Sequence, residues 1–88
     1  MMPATDAELV RFVPVLMTLA ERHGLSNLRL AGHGQIVADV DAGRTLVDVA
    51  RFEIEAQAVI RAEITVVSSR TELASQLDCR PLVATSAA

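Results

Sequence analysis

Residues 28–43, "LRLAGHGQIVADVDAG", place two short apolar runs on either side of a Gly-His-Gly sequence. Leu28 and Leu30 alternate with other residues before the glycines, and a second run rich in β-branched residues follows. Short alternating or β-branched runs with glycine between them are typical of two strands joined by a tight turn. The stretch therefore predicts a β-hairpin with residues 32–34 at or near its tip and a turn at residues 41–43.

Capping signals predict a helix before this hairpin. Thr5 and Glu8 have capping-box spacing and begin a predicted helix over residues 6–23. Pro14 falls inside this range, and proline is tolerated only in the first turn of a helix. We therefore expect a short N-terminal turn followed by a main helix that begins near Pro14 and ends at Gly24.

The second half of the chain predicts a helix, a strand and a short last helix. Thr45, with Asp48 three residues later, opens the helix, and the β-branched residues 64–67 predict a third strand. A serine at residues 68–69 is expected to cap the last helix, which ends near Leu77. The order α-β-β-α-β-α predicts a small α+β, or α/β-like, domain with helices on a three-stranded sheet.

The second predicted helix is unusually apolar. Besides its main stripe, it carries Val47, Ile54 and Ala58 on other sides of the helix. A surface helix normally has one apolar face and one polar face. We therefore expect this helix to be packed on two sides.

Composition bounds the class of protein. The 88 residues are expected to form one domain, residues 1–88, with an ordered core over about residues 5–80. The net charge of −3, the absence of lysine and the scattered arginines exclude an electrostatic footprint for nucleic acid. No apolar run approaches the roughly 20 residues of a membrane span. A lone cysteine, Cys79, makes a reducing cytoplasm the expected location.

Asp39 and Asp41 are the first candidates for a chemical site. Residues two apart in a strand point to the same face, and paired carboxylates can hold a divalent ion. The same aspartates, followed by Ala42 and Gly43, also fit a polar strand end that enters a turn. We favour the second interpretation and predict no metal site.

The other polar candidates carry weaker signals. His33, between two glycines, fits a catalytic base or metal ligand, but also an exposed turn residue, which we favour. His23 fits a helix C-terminus, where it interacts with the helix dipole, and no Asp or Glu in the sequence suggests a partner for it. Cys79 lacks a nucleophile signature. The glycines match no phosphate-binding loop, and no lysine is present to reach a phosphate.

Longer segments resemble a known family. Residues 19–30, "LAERHGLSNLRL", resemble the end of the first helix and the first strand of minimal nucleotidyltransferases (MNT), small polymerase-β-like domains often encoded as antitoxins beside HEPN toxins. The segments "VADVDAGRTLVDVARFEIEAQAVI" and "AEITVVSSRTELASQL" resemble the same family from the end of its second strand to its last helix. The resemblance covers about residues 11–82 and implies a truncated nucleotidyltransferase fold.

The resemblance is interrupted after the first strand. Members of the family continue there into Gly-Ser, a short helix, a loop and an Asp-x-Asp on the second strand, with another Asp on the third. Here Gly32 is followed by His33 in place of the serine, and the chain enters the second strand at once. The resemblance implies that the catalytic pair falls on His33 and Gln35 and the third carboxylate on Thr65. It therefore carries over no catalytic, cofactor-binding or metal-binding residue.

The resemblance implies a catalytically inactive MNT-like protein, an antitoxin or a relative of one, without a cofactor and in contact with a HEPN-type toxin. One alternative is a divergent nucleotidyltransferase that uses Mg²⁺ and ATP, with Asp39 and Asp41 as its acids and Gly32 and His33 at the nucleotide. Another is a small homo-oligomeric module, since loss of the loop helix would uncover part of the sheet. The expected partner is thus a HEPN-type toxin or a second copy of the chain.

Overall fold

Four helices and four strands make up the part of the fold formed by residues 2–82. The computed structural model describes residues 2–82. In chain order the elements are α1 (Asp6–Arg11), α2 (Val13–Arg22), β1 (Leu25–Gly32), β2 (Gln35–Val40), α3 (Leu46–Ile60), β3 (Thr65–Ser68), α4 (Glu72–Gln76) and β4 (Arg80–Pro81). The predicted α+β class is confirmed. The six predicted elements occur in the predicted order, with α1 and α2 together forming the first helical region.

The sheet is mixed, with strand order β3-β2-β1-β4. β1 and β2 form the predicted antiparallel hairpin, β2 and β3 are parallel, and β4 is antiparallel to β1. The prediction of three strands is therefore wrong by one. Pro81 lies in β4, and proline is compatible with an edge strand, where its missing N–H costs no ladder bond.

Local capping signals explain how the first helices begin. Thr5 and Glu8 form the predicted capping box at the start of α1. The helical region then breaks at Phe12, which ends α1 and precedes α2, and Pro14 lies in the first turn of α2. The predicted division of this region into two pieces is confirmed.

The later helices begin at threonines. Thr45 and Asp48 form the predicted capping box of α3. The expectation that Ser68 or Ser69 caps the last helix is wrong, because Thr71 accepts the Ala74 N–H at 3.3 Å. The β-branched run instead extends β3 through Ser68, which postpones the start of α4.

The main core lies between one face of the sheet and helices α1, α2 and α3. Phe52 of α3, Leu16 of α2 and Ile36 of β2 are fully buried in it. The opposite face of the sheet carries a smaller cluster in which Val37 and Val67 pack with Ala74 of α4. Alternation along the strands explains the division, because consecutive side chains point to opposite faces.

The expectation that α3 is packed on two sides is wrong within one chain. Its inner side is buried, but Val47 and Ile54 on the outer side are 59% and 64% exposed. Among residues 2–82, no helix has the length and apolar character needed to cross a membrane.

Candidate functional site

The tip of the β1–β2 hairpin is a two-residue turn formed by His33 and Gly34. Both have positive φ, 54° and 76°, and the flanking residues Gly32 and Gln35 are paired across the strands. Positive φ at both central residues is the signature of a type I′ turn, whose twist matches that of the strands. The Gly-His-Gly sequence is therefore explained by the geometry of a short hairpin.

Gly34 is also in close contact with the chain that enters β3. A Cβ atom built on Gly34 would lie 2.6 Å from the carbonyl oxygen of Glu63 and 3.1 Å from the amide nitrogen of Ala4. The Gly34 carbonyl accepts the Thr65 N–H at 2.9 Å. Glycine thus lets the hairpin tip approach two backbone segments at once.

The structure brings together the positions on which the resemblance places catalytic acids. Gln35 and Thr65 are Cα partners across the parallel β2–β3 pair, and His33 lies two residues before Gln35. Gln35 and Thr65 therefore lie side by side at the start of the two strands. The side chains at the three positions are an imidazole, an amide and a hydroxyl, which lack the negative charge that carboxylates provide to a Mg²⁺ ion.

Residues 2–4 lie against the same end of the sheet. Ala4 donates its N–H to the carbonyl of Glu63 at 2.9 Å, and Glu63 donates its own N–H to the carbonyl of Met2 at 2.8 Å. Pro3 and Glu63 form a parallel bridge between these bonds. The backbone at the hairpin tip is thereby held between the N-terminal segment and the start of β3.

Asp39 forms an ion pair on the sheet. Its Oδ1 accepts from Arg29 Nη2 at 2.6 Å, and its Oδ2 accepts from Asn27 Nδ2 at 3.2 Å. The hydroxyl of Ser69, followed by the Asn27 amide and the Arg29 guanidinium, holds the pKa of Asp39 below its ordinary value. Asn27 and Arg29 lie on β1, so Asp39 links the two strands of the hairpin.

Asp41 lies beyond the end of β2, in the turn before α3. Its N–H donates to the carbonyl of Gly24 at 2.9 Å, and its carbonyl accepts the Arg44 N–H at 3.1 Å. Its contacts thus differ from those of Asp39, although the two are close in sequence. Within residues 2–82 there is no group of three His, Cys, Asp or Glu side chains that could hold a metal ion.

His23 has a partner that the sequence did not indicate. Its Nε2 lies 2.7 Å from Oε2 of Glu55, and only 11% of the His23 side chain is exposed. The structure thus gives His23 an acidic partner, Glu55, which no pattern in the sequence suggested. The pair joins the C-terminus of α2 to the middle of α3 across 32 positions, a contact that only the packing of the two helices creates.

A shallow cleft lies beside Gly32, near the edge strand β4. Its volume is about 220 Å³, and its lining includes Asp6, Asp78, Cys79 and Arg80. Arg80 Nη2 contacts Oδ2 of Asp6 at 2.5 Å, so the cation in the cleft is already paired. The volume is below the roughly 300–1,000 Å³ usual for small-molecule sites.

Comparison with known proteins gives one informative likeness. No family model matches the chain, and no curated protein matches it. A solved structure of a presumed minimal nucleotidyltransferase superposes with a TM-score of 0.73 at 22% identity. The match covers 90% of this chain and 97% of that chain. The chain has a minimal nucleotidyltransferase fold.

This likeness concerns the fold that surrounds the candidate site. The nucleotidyltransferase fold is shared at low sequence identity, so the likeness identifies the scaffold and leaves the chemistry to the residues. On that scaffold, Gln35 and Thr65 lie side by side at the start of β2 and β3.

Proposed function

We propose that this chain is a nucleotidyltransferase-fold protein without transferase activity, which acts by contact with another protein. The observation that carries the proposal is the pair of β2 and β3 positions, Gln35 and Thr65, which are in register and hold no carboxylate. Nucleotidyl transfer depends on metal ions that bind the phosphates and neutralise developing charge. Neutral amide and hydroxyl groups are poor substitutes for the acids that hold such ions.

The hairpin supports the same proposal. A nucleotide site needs backbone N–H groups or cations around the phosphates, usually from a loop of several residues. Here β1 and β2 are joined by His33 and Gly34 alone. Gly34 is packed against Pro3, Ala4 and Glu63, so this side of the two-residue turn is closed by protein.

The surroundings of the two aspartates also support it. Asp39 already forms an ion pair with Arg29, and Asp41 is held by backbone bonds in a turn. A transferase built on these residues would have to exchange the Arg29 ion pair for a metal ion. We therefore propose that Asp39 and Asp41 form the polar end of the strand and bind no metal.

The proposed partner is a HEPN-type toxin, with the chain as its antitoxin or a relative of one. The support for this partner is the resemblance of residues 19–30 and of the longer segments from β2 to α4 to MNT antitoxins. An inactive antitoxin must act by occupying the toxin, because it cannot modify it. Neutralisation should therefore need stoichiometric amounts of the chain and no nucleotide.

Two measurements test this function. The purified chain, titrated with Mg²⁺ and ATP in a calorimeter, should give no saturable heat. Incubated with Mg²⁺, labelled ATP and a HEPN-type toxin encoded next to it, it should transfer no AMP. Magnesium-dependent labelling of the toxin that Asp41→Asn abolishes would overturn the proposal and favour a divergent transferase.

Co-expression tests the antitoxin role separately. The chain should relieve the growth arrest caused by the toxin and co-purify with it. Asp41→Asn is the matched variant, because it keeps the shape of the turn and removes the charge. It should neutralise as well as the natural chain, whereas failure of both to bind the toxin would reject the antitoxin role.

A further inference from the structure

The outer side of α3 carries an exposed apolar stripe. It consists of Val47, Ala50, Ile54 and Ala58, which we call the outer stripe. Spacings of three, four and four residues place these side chains on one side of a helix with 3.6 residues per turn. All four are exposed, and Ile54 at the centre is 64% exposed. A solvent-facing side of a helix is normally polar, so the stripe calls for a covering surface.

We propose that the outer stripe is a homodimer interface, in which α3 packs antiparallel against α3 of a second copy about a two-fold axis at Ile54. Self-association is independent of the proposed function, because it follows from the pattern on one helix. Under this symmetry, a stripe residue that precedes Ile54 by a given number of positions lies opposite the residue that follows Ile54 by the same number in the other copy. The stripe therefore meets itself, as an isologous interface requires.

The apolar side chains are complementary under this symmetry. Ala50 faces Ala58 of the second copy, and small residues at both places let the helix backbones approach to about 8 Å. Ile54 meets its own symmetry mate at the centre. Val47 lies near the C-terminal end of α3 of the second copy, where the methylene stem of Arg61, the left-handed C-cap residue, can cover it while the guanidinium stays in water.

The charges beside the stripe select both the partner and the direction of packing. Arg51 and Glu55 lie one turn apart on the same flank of α3. Antiparallel packing places Arg51 of each copy beside Glu55 of the other, which gives two equivalent ion pairs. Glu55 Oε2 already contacts His23, but a carboxylate has a second oxygen that can accept a bond from Arg51.

The parallel arrangement lacks these ion pairs. Its two-fold axis runs along the helices, so the flank that carries Arg51 and Glu55 faces the opposite flank of the other copy. The antiparallel arrangement is thus the one of the two that brings Arg51 of each copy beside Glu55 of the other.

The size of the stripe predicts a weak dimer. From Val47 to Ala58 the stripe extends about 17 Å along the helix, at about 1.5 Å per residue. One helix pair of this length lies at the small end of specific interfaces, below roughly 1,200 Å² of total buried area. We therefore expect a micromolar dissociation constant, since small interfaces leave little surplus over the cost of association.

Sedimentation equilibrium tests the dimer over total concentrations from about 1 µM to about 500 µM, which bracket a micromolar dissociation constant. The natural chain should pass from 9.4 kDa to twice that mass. Ile54→Glu places two like charges on the two-fold axis and should weaken association at least tenfold. Leu73→Glu is the matched control, because Leu73 is 49% exposed and lies on α4, away from the stripe.

Leu73→Glu should associate like the natural chain, and circular dichroism should show that all three proteins are folded. A natural chain that remains at 9.4 kDa over the whole range would overturn the proposal. So would a folded Ile54→Glu variant that associates normally, or a Leu73→Glu variant that is weakened equally. The last outcome would place the contact surface on α4.

Cross-linking tests the direction of packing in a Cys79→Ser background, which removes the natural thiol. Chains with Ala50→Cys and chains with Ala58→Cys should form a mixed disulfide much faster together than either forms with itself. Rapid self-linking of Ala50→Cys chains would indicate parallel helices and overturn the proposed arrangement. Tags of different length on the two chains distinguish the mixed product from the self-linked ones.

Discussion

At the scale of single residues, the glycines of the hairpin tip differ in what they permit. Gly34 combines a φ of +76° with close contacts to the backbone of Glu63 and Ala4, whereas Gly32 has a φ of +84° and open space where a Cβ would lie. Gly34→Ala should therefore lower the free energy of unfolding by roughly 3 kcal/mol through strain and overlap together. Gly32→Ala should lower the free energy of unfolding by only about 1 kcal/mol, because the alanine must adopt a left-handed backbone conformation.

Urea unfolding of the two variants and the natural chain measures this difference. The free energies should be compared at equal denaturant slopes, so that a change in the unfolded state is recognised. Equal losses for the two variants would show that contact with the Glu63 carbonyl does not restrict Gly34. The hairpin tip would then be less closely packed than the structure indicates.

Asp39 makes a second prediction at this scale, on pH. Its neighbours Ser69, Asn27 and Arg29 lower its folded-state pKa, so its contribution to stability is fully present above the unfolded-state pKa near about 4. That contribution should disappear as the pH falls through the lowered folded-state pKa. Because 46% of the Asp39 side chain is exposed, solvent screening limits the contribution to about 1 kcal/mol or less.

Asp39→Asn is the variant that tests the pH dependence. At pH near about 7 it should be less stable than the natural chain, and the difference should shrink as the pH falls through the lowered folded-state pKa of Asp39. Denaturant unfolding at several pH values gives the two curves. A difference that stays constant across this range would show that the introduced amide disturbs packing and that the charge of Asp39 has no part in the effect.

At the scale of elements, the edge strand β4 brings the end of the described chain into the core. Leu82, directly after β4, donates its N–H to the Leu28 carbonyl at 2.9 Å, and only 1% of it is exposed. Leu82→Ala should therefore cost roughly 2–5 kcal/mol, the usual range for a leucine removed from a core. Leu73→Ala, at a residue 49% exposed, is the control and should cost less than about 1 kcal/mol.

Guanidinium unfolding of the two leucine variants measures the difference directly. If Leu82→Ala were as mild as Leu73→Ala, the segment around β4 would contribute little to the fold. The sheet would then depend on β1, β2 and β3 alone, as the sequence predicted.

The elements that sequence reasoning identified are those with local signals. Thr5 and Thr45 each have an acidic residue three positions later, which fixes the helix start within one turn. The hairpin follows from two glycines between apolar runs, because the turn requires positive φ. Each of these signals depends on neighbours in the chain and can therefore be read from the sequence.

The features that were missed depend on residues far apart in the chain. β4 consists of two residues, and its pairing with Arg29 and Leu30 exists only because the chain returns to the edge of β1. The contact between His23 and Glu55 requires α2 and α3 to pack together first. At the candidate site, the resemblance indicated Gln35 and Thr65, but only the sheet register shows that they are adjacent.

At the scale of the whole molecule, the residues that stabilise the fold differ from the polar residues at the start of β2 and β3. The sheet and helices reproduce a nucleotidyltransferase scaffold over 90% of the chain, and Gln35 and Thr65 lie side by side at the start of β2 and β3. Stability does not require acids at these two positions, because the core is formed by apolar residues such as Phe52 and Ile36. The scaffold therefore does not depend on which polar side chains these positions carry.

The outer stripe makes the stability of the whole molecule depend on its concentration. Association that requires the folded state stabilises it by mass action, so the melting temperature should rise with protein concentration. A hundredfold increase that spans the dissociation constant adds roughly 1 kcal/mol, or roughly 4–8 °C for a domain of this size. Ile54→Glu removes the contact and should make the melting temperature independent of concentration, whereas Leu73→Glu should keep the dependence. A natural chain with a concentration-independent melting temperature would show that dimerisation is too weak to stabilise the fold, because any dimer that binds only folded chains must shift this equilibrium.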